Sequence, residues 1–271
     1  MNLYCTPGEL RRALKLDTQN AMQEAELEPI IRSTSRYIDN HTGRWFYVLN
    51  GTRYYDSRKE LWLPDDVISV TTLKWDQDGD DTYETTLTEG TDFRGWPYNM
   101  AHFRRLDVIG TGQLGSWPNQ AKALELEGTF GWSEETVATG LTGTVGSTTG
   151  TDLTLSAAPG TLIELGHTIL IGSEQMYVED ADGDSLTVKR AVNGTTATTH
   201  TTAAISVYEY AGGAIRNEII ACATRWYREF ATGFSGAISS MNEQGYSTFR
   251  TIWPAIVDGL ATYRHPALAV A

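Results

Sequence analysis

From residue 139 to residue 206, 21 of 68 side chains are Ser or Thr and Tyr177 is the one aromatic, whereas both flanks carry apolar stripes at helical spacing. Such a shift of composition marks either a separate small domain or a disordered segment. Its apolar residues alternate in short runs, at 153–155, 168–171, 176–179, 186–189 and 204–208, separated by Gly- and Asp-rich turns. That pattern predicts a compact all-β barrel or sandwich inserted at 137–211, closed by Gly212-Gly213. The flanks, 1–136 and 212–271, are expected to form one core domain.

The flanking signals are local and specific. Thr6, Pro7 and Glu9 form a capping box with proline at the first helical position, and Leu10, Ala13 and Leu14 share a face. A second helix is expected over about 19–41, with Ile30, Ile31, Tyr37 and Ile38 on one stripe, Gly43 as its stop and Pro29 as a kink or break. After the insert, Ile215, Ile219, Cys222, Ala223, Trp226, Tyr227 and Phe230 mark a core-facing helix. Pro254 opens a short one through Ile256, Val257 and Leu260 to Tyr263, and Pro266 ends it. Between the first helices and the insert the period changes. Trp45-Phe46-Tyr47-Val48, Asn50-Gly51 and Arg53-Tyr54-Tyr55 predict a tight hairpin. Asp78-Gly79 predicts another, joining 67–75 to 83–87, and 123–130 reads as a further strand. The fold class expected is α+β: a helical core with long β-hairpins, interrupted by the small all-β barrel or sandwich.

Charge and cysteine content exclude several functions. Lys+Arg 21 against Asp+Glu 34 gives a net charge of -13 and a pI near 4.8. Binding nucleic acid or anionic lipid through a basic surface is disfavoured, because each phosphate contact needs a cation. Cys5 and Cys222 are expected to be reduced structural thiols, and they are too few for a four-cysteine zinc site. No window approaches 18 uninterrupted apolar residues, and no export address is expected.

The motifs that resemble chemistry fail on context. Gly110-Thr111-Gly112-Gln113-Leu114-Gly115 matches the dinucleotide fingerprint, but a strand rather than a helix is expected after it, so pyrophosphate would find no helix N-terminus. Asp76, Asp78, Asp80 and Asp81, and likewise Asp180, Asp182 and Asp184, suggest calcium. However, glycine falls fourth rather than sixth, and Leu87 and Ala191 stand where the bidentate Glu is needed. Asp-Gly turn geometry accounts for both. His41, His102, His167, His200 and His265 have no ligand spacing. Asn50-Gly51-Thr52 and Asn193-Gly194-Thr195 fit the glycosylation sequon but are read as turns. No catalytic residue, cofactor or metal is expected.

The order of these segments resembles the head-tail connector, or adaptor, proteins of long-tailed bacteriophages. The resemblance rests on residues 4–14; on 31–39 leading into Thr42-Gly43-Arg44-Trp45-Phe46; on Thr52-Arg53-Tyr54-Tyr55-Asp56 followed by Leu61-Trp62-Leu63-Pro64; on 124–132; and on Ala214-Ile215-Arg216-Asn217-Glu218 through Arg225-Trp226-Tyr227. The insert, with Glu174-Gln175-Met176-Tyr177-Val178, Leu186 to Arg190, Asn193 to Ala197 and His200, is similar to a β-module recurring in phage virion proteins. Compact connectors lack such an insert. The resemblance implies a homo-oligomeric ring of about twelve copies at the virion neck, assembled in the host cytoplasm, with no membrane partner. It would join the portal protein to a tail-side neck or stopper protein and pass genomic DNA without sequence-specific binding. It also implies a portal contact through the C-terminal segment, here Arg264, His265, Pro266, Ala267, Leu268 and Val270. The rival reading is a glycan- or protein-binding module displayed by the Thr-rich insert, whose only aromatics are Tyr177, Tyr208 and Tyr210.

Overall fold

The computed structural model describes residues 2–16, 21–58, 61–231 and 254–265. It divides into two compact units. One holds residues 1–43, 135–192 and 196–271, the other 44–134 and 193–195.

The first unit combines the helices with a barrel. Helix α1 (Pro7–Leu14) starts as expected: the Thr6 hydroxyl accepts from the Glu9 amide at 3.0 Å, and the Glu9 carboxylate accepts from the Thr6 amide at 2.9 Å. Helix α2 (Ala21–Thr42) runs through Pro29 without a break and stops at Gly43, whose φ of 69° a glycine adopts at little cost. Helices α3 (Ala214–Ala231) and α4 (Pro254–Ala261) complete the helical layer. Ile215, Ile219, Cys222 and Ala223 are buried as their spacing required, Trp226 and Tyr227 are half-buried, and the side chain of Phe230 lies outside the described residues.

The barrel in the same unit has six strands: β7 (Thr136–Val145), β8 (Asp152–Leu155), β9 (Thr168–Ile171), β10 (Glu174–Asp182), β11 (Ser185–Lys189) and β12 (His200–Tyr208). They close in the order β10-β11-β8-β7-β12-β9. Closure leaves no unpaired edge, and the inward alternate residues (Leu153, Ile169, Ile171, Met176, Val178, Leu186, Val188 and Ile205 among them) form one apolar cluster.

The second unit is an antiparallel sheet. Strands β1 (Leu49–Ser57), β2 (Leu61–Trp75), β3 (Thr85–Leu87), β4 (Phe93–Trp96), β5 (Phe103–Val108) and β6 (Gln120–Phe130) are ordered β1-β6-β2-β5-β4, with β3 paired to β2. It has its own core, including Leu63, Val67, Leu73, Phe93, Leu106, Leu124 and Phe130.

The expected helical core is therefore corrected. Among the described residues strand outweighs helix, and the sheet is a body with its own core rather than a set of hairpins on a helical scaffold. The helical stripes are real, but periodicity reports which face is buried and not what buries it. Strand β7, rich in Thr and Gly, and the short β4 carry too few apolar residues to announce themselves.

Asn50-Gly51 is corrected as well. Both residues lie inside β1, opposite Thr129 and Gly128 of β6, in an unbroken register from Leu49↔Phe130 to Tyr55↔Leu124. A turn there would forfeit that ladder, so the strand wins over a strong local turn signal. Asn193-Gly194 is a turn, with φ of 56° and 78°. It is packed so closely that a Cβ on Gly194 would lie 2.0 Å from the Asn50 carbonyl oxygen. The Asp78-Gly79 connection does join β2 to β3, with Leu73 opposite Leu87 and Trp75 opposite Thr85.

These two glycines should respond oppositely to substitution. Gly51→Thr, with nothing within 4 Å of the added Cβ, is expected to leave stability unchanged or raise it by up to ~1 kcal/mol. Gly194→Ala should cost at least about 1–2 kcal/mol through its left-handed backbone, with the clash added. Urea melting of the two variants checks both.

Candidate functional site

Of the C-terminal residues singled out by the resemblance, only Arg264 and His265 are described. Pro266, Ala267, Leu268 and Val270 lie outside the described residues. His265 is buried and its backbone amide donates to the Thr42 carbonyl at 2.6 Å, tying the end of the C-terminal helix to the last turn of α2. Arg264 is exposed. Burial and the Arg264 charge together hold the His41 imidazole below its ordinary pKa.

Among the described residues three ionisable clusters take their partners from within the fold, the first two buried and the third partly exposed. The first is in the barrel. Glu174, with no exposed surface, opens β10 and receives the Arg190 guanidinium through Nε and Nη2, each at 2.7 Å. It also accepts the Ala191 amide at 3.1 Å and the Thr198 amide at 3.0 Å, and faces His200 Nε2 at 2.9 Å. Arg190 donates its remaining hydrogens to the carbonyls of Ser147, Gly150 and Thr198. Burial alone would raise the Glu174 carboxyl, but these donors overcome it and hold it at about 2. The residues that carry the insert's resemblance are thus a structural cage that leaves no open coordination position on Glu174.

The second cluster is in the sheet unit. Asp66 lies 3.2 Å from the Arg44 guanidinium and 3.5 Å from His102 Nε2, and both partners are buried with it. His102 Nδ1 meets the Trp132 carbonyl at 2.9 Å, and Arg44 stacks over the Trp132 ring, 4.6 Å from its centroid. Here burial prevails over the pull of Arg44 and Arg104, and pushes the Asp66 carboxyl up to about 6.

The third cluster docks α1 on the barrel. Glu164 accepts the Thr6 hydroxyl at 2.6 Å and the Arg12 guanidinium. Its own amide donates to His167 Nδ1 at 3.0 Å, an acceptor role that suits a ring whose pKa burial lowers to about 4. A cavity of about 180 Å³ adjoins this cluster, lined by Tyr4, Cys5, Glu9, Leu162 and Arg216 among others. Burial, reinforced by Glu9, raises the Cys5 thiol, and burial raises the Cys222 thiol to about 11. Neither is a thiolate at neutral pH.

The remaining sequence candidates are loops and turns, largely exposed. The 110–115 glycine segment is a loop between β5 and β6, and no helix begins there. Gly112 packs on the backbone of Asp92, whose carboxylate accepts the Gln113 amide at 2.7 Å and the Thr88 amide at 2.8 Å. Ligand atoms of Asp76, Asp78, Asp80 and Glu84 fall within 4.8 Å of one another. The two oxygens of Asp76 already accept the Gly79 and Asp81 amides at 2.7 and 3.0 Å, which is the work of a turn.

Sequence reasoning missed an aromatic ladder on the sheet. Trp62 of β2, Arg105 of β5 and Trp96 of β4 stand in register on adjacent strands. The guanidinium lies 5.2 Å from the Trp62 ring and 4.6 Å from the Trp96 ring, and the two indoles meet edge to face at 5.7 Å. Trp62, Tyr98 and Met100 remain 49%, 61% and 49% exposed. The available signal was Leu61-Trp62-Leu63, where alternation turns Trp62 outward if its neighbours are buried.

No protein-family model and no curated protein matches the chain. One solved structure, described as the neck of an empty GTA particle computed with C6 symmetry, is similar at 20% identity and a TM-score of 0.31, over 48% of this chain and 66% of that one. Similarity at that level is too low to assign a shared fold or activity.

Removing Glu174 should strand a buried guanidinium. Glu174→Ala is expected to destabilise the barrel by about 3–5 kcal/mol. Because the carboxyl is depressed in the folded state, its contribution is complete above the unfolded value near 4.5 and fades as pH falls toward 2. Urea melts of wild type and variant between pH 7 and pH 2 check both statements, and the difference between the two proteins should shrink over the acid end of that range.

Proposed function

We propose that the chain is a non-enzymatic structural protein of a phage-like virion neck, assembling as a ring between the portal protein and a tail-side component. One observation carries the reading best. The acids and histidines of the three clusters face hydrogen-bond or ion-pair partners from the same fold, while large aromatic side chains are left in solvent on one sheet. That distribution suits a molecule whose work is done by contact surfaces rather than by a reacting group. The order of motifs resembling connector proteins supplies the particular assembly. In the finer reading the ring has about twelve copies, residues 266–271 engage the portal, the 137–211 barrel is an added module, and DNA leaves through the lumen. A net charge of -13 per protomer would keep phosphates from adhering to such a channel.

The rival module reading loses its main support. Tyr177 and Tyr210 are buried and Tyr208 is half-buried, so the barrel offers no exposed aromatic platform among its described residues.

Negative-stain images of the full chain with its portal should show rings. Deleting residues 266–271 should leave thermal melting unchanged and abolish co-migration with the portal. Unchanged co-migration would remove the tail from the contact, and the absence of any ring would overturn the reading itself.

A further inference from the structure

The ladder belongs to a longer aromatic band within the sheet unit. Tyr98 reaches it through Asp107, whose carboxylate accepts the Tyr98 hydroxyl at 3.3 Å and a hydrogen from Arg105 Nη2 at 3.0 Å. On the other side, Trp62 and Tyr54 line one shallow groove with Asp56 and Arg58. Tyr54, 51% exposed, meets the Tyr83 ring at 5.7 Å, and Lys122 lies over it at 5.4 Å. The band therefore runs Tyr83, Tyr54, Trp62, Trp96, Tyr98. Tyr, Trp and Arg are the residues that concentrate binding energy at protein interfaces, and a contiguous exposed set of this kind marks a contact surface.

Charge identifies the occupant. Three cations on the band have an acid beside them, Arg58 with Asp56 at 3.6 Å, Arg105 with Asp107 at 2.7 Å and Lys122 with Asp81 at 2.8 Å, and the exposed Arg94 stands opposite Asp107 on the same face. The cations and acids named here leave the band without the acidic excess of the whole chain, whose net charge is -13. Two copies approaching through their acidic surfaces would repel each other, whereas the band lets them meet without that excess and with large aromatic area. An anionic partner such as DNA finds only Arg94 without an ion pair among the cations named, too few to hold a run of phosphates. We infer that the Tyr54–Trp62–Trp96–Tyr98 band is the surface through which one copy of this chain contacts another. This inference rests on the proposed ring and specifies its lateral contact.

The test uses the full chain, with mass photometry and negative-stain imaging over a concentration series. Trp62→Ala with Tyr98→Ala, and separately Arg105→Glu, alter half-exposed surface groups, and circular dichroism confirms that each variant is folded. Expected is wild-type assembly, with each variant needing at least about tenfold more protein to assemble, as loss of a hot-spot residue does. A photo-crosslinking residue at position 98 should join two copies, with the captured peptide of the neighbour lying outside the band, as the heterologous contact of a ring requires. Rings that form equally well in both variants, or a residue at position 98 that captures no second copy, overturn the band as the self-contact while leaving the ring reading intact. Variants that form rings but lose a different partner also overturn it, since the band would then face that partner. A wild type that never assembles, alone or with portal, removes the ring reading instead.

Discussion

A carboxylate with no contact to solvent is tolerable only if the fold brings donors to it, and Glu174 is such a group. Its partners come from three stretches of chain: Arg190 and Ala191 after β11, Thr198 before β12, and His200 within it. The barrel cannot close with those stretches elsewhere without leaving a buried charge uncompensated, at a cost of several kcal/mol. The cage therefore acts on which arrangement is reached more than on how stable it is. It explains why a Thr-rich segment with modest apolar content folds to one register, and Arg190, by reaching the 147 and 150 carbonyls as well, ties the β7–β8 turn to the same point.

The sheet solves a similar problem with the opposite balance. Asp66, Arg44 and His102 are buried together, but the acid has fewer donors than Glu174 has, so desolvation prevails and its pKa rises where that of Glu174 falls. Both clusters sit where chain segments converge, Glu174 at the start of β10 and Asp66 within β2. In these two clusters the polar groups serve the architecture, while on the sheet an aromatic ladder faces solvent.

Much of the local structure was legible. The Thr6–Pro7–Glu9 cap, the Gly43 stop and the buried stripe of α3 follow from rules that act within a few residues, and the alternating runs of the insert placed five of the six barrel strands. Reading failed where a distant partner outvoted a local signal. Asn50-Gly51 has the composition of a hairpin turn, yet β6 supplies a ladder that extends through it. The aromatic ladder was hidden for the same reason. Trp62, Trp96 and Arg105 are separated by up to 43 positions in sequence and meet only because β5 pairs with both β2 and β4.

By itself, then, the sequence determined the helix ends, the alternation that makes strands, the excess of acid and the change of composition at the insert, because each depends on neighbours along the chain. Tertiary structure decided that the strands outweigh the helices, that Glu174 and Asp66 become cages with opposite effects on their protons, and that scattered aromatics become one exposed band. Those outcomes depend on strand order and closure, which are set by long-range pairing and by the free energy of burying charge, and no local pattern records either.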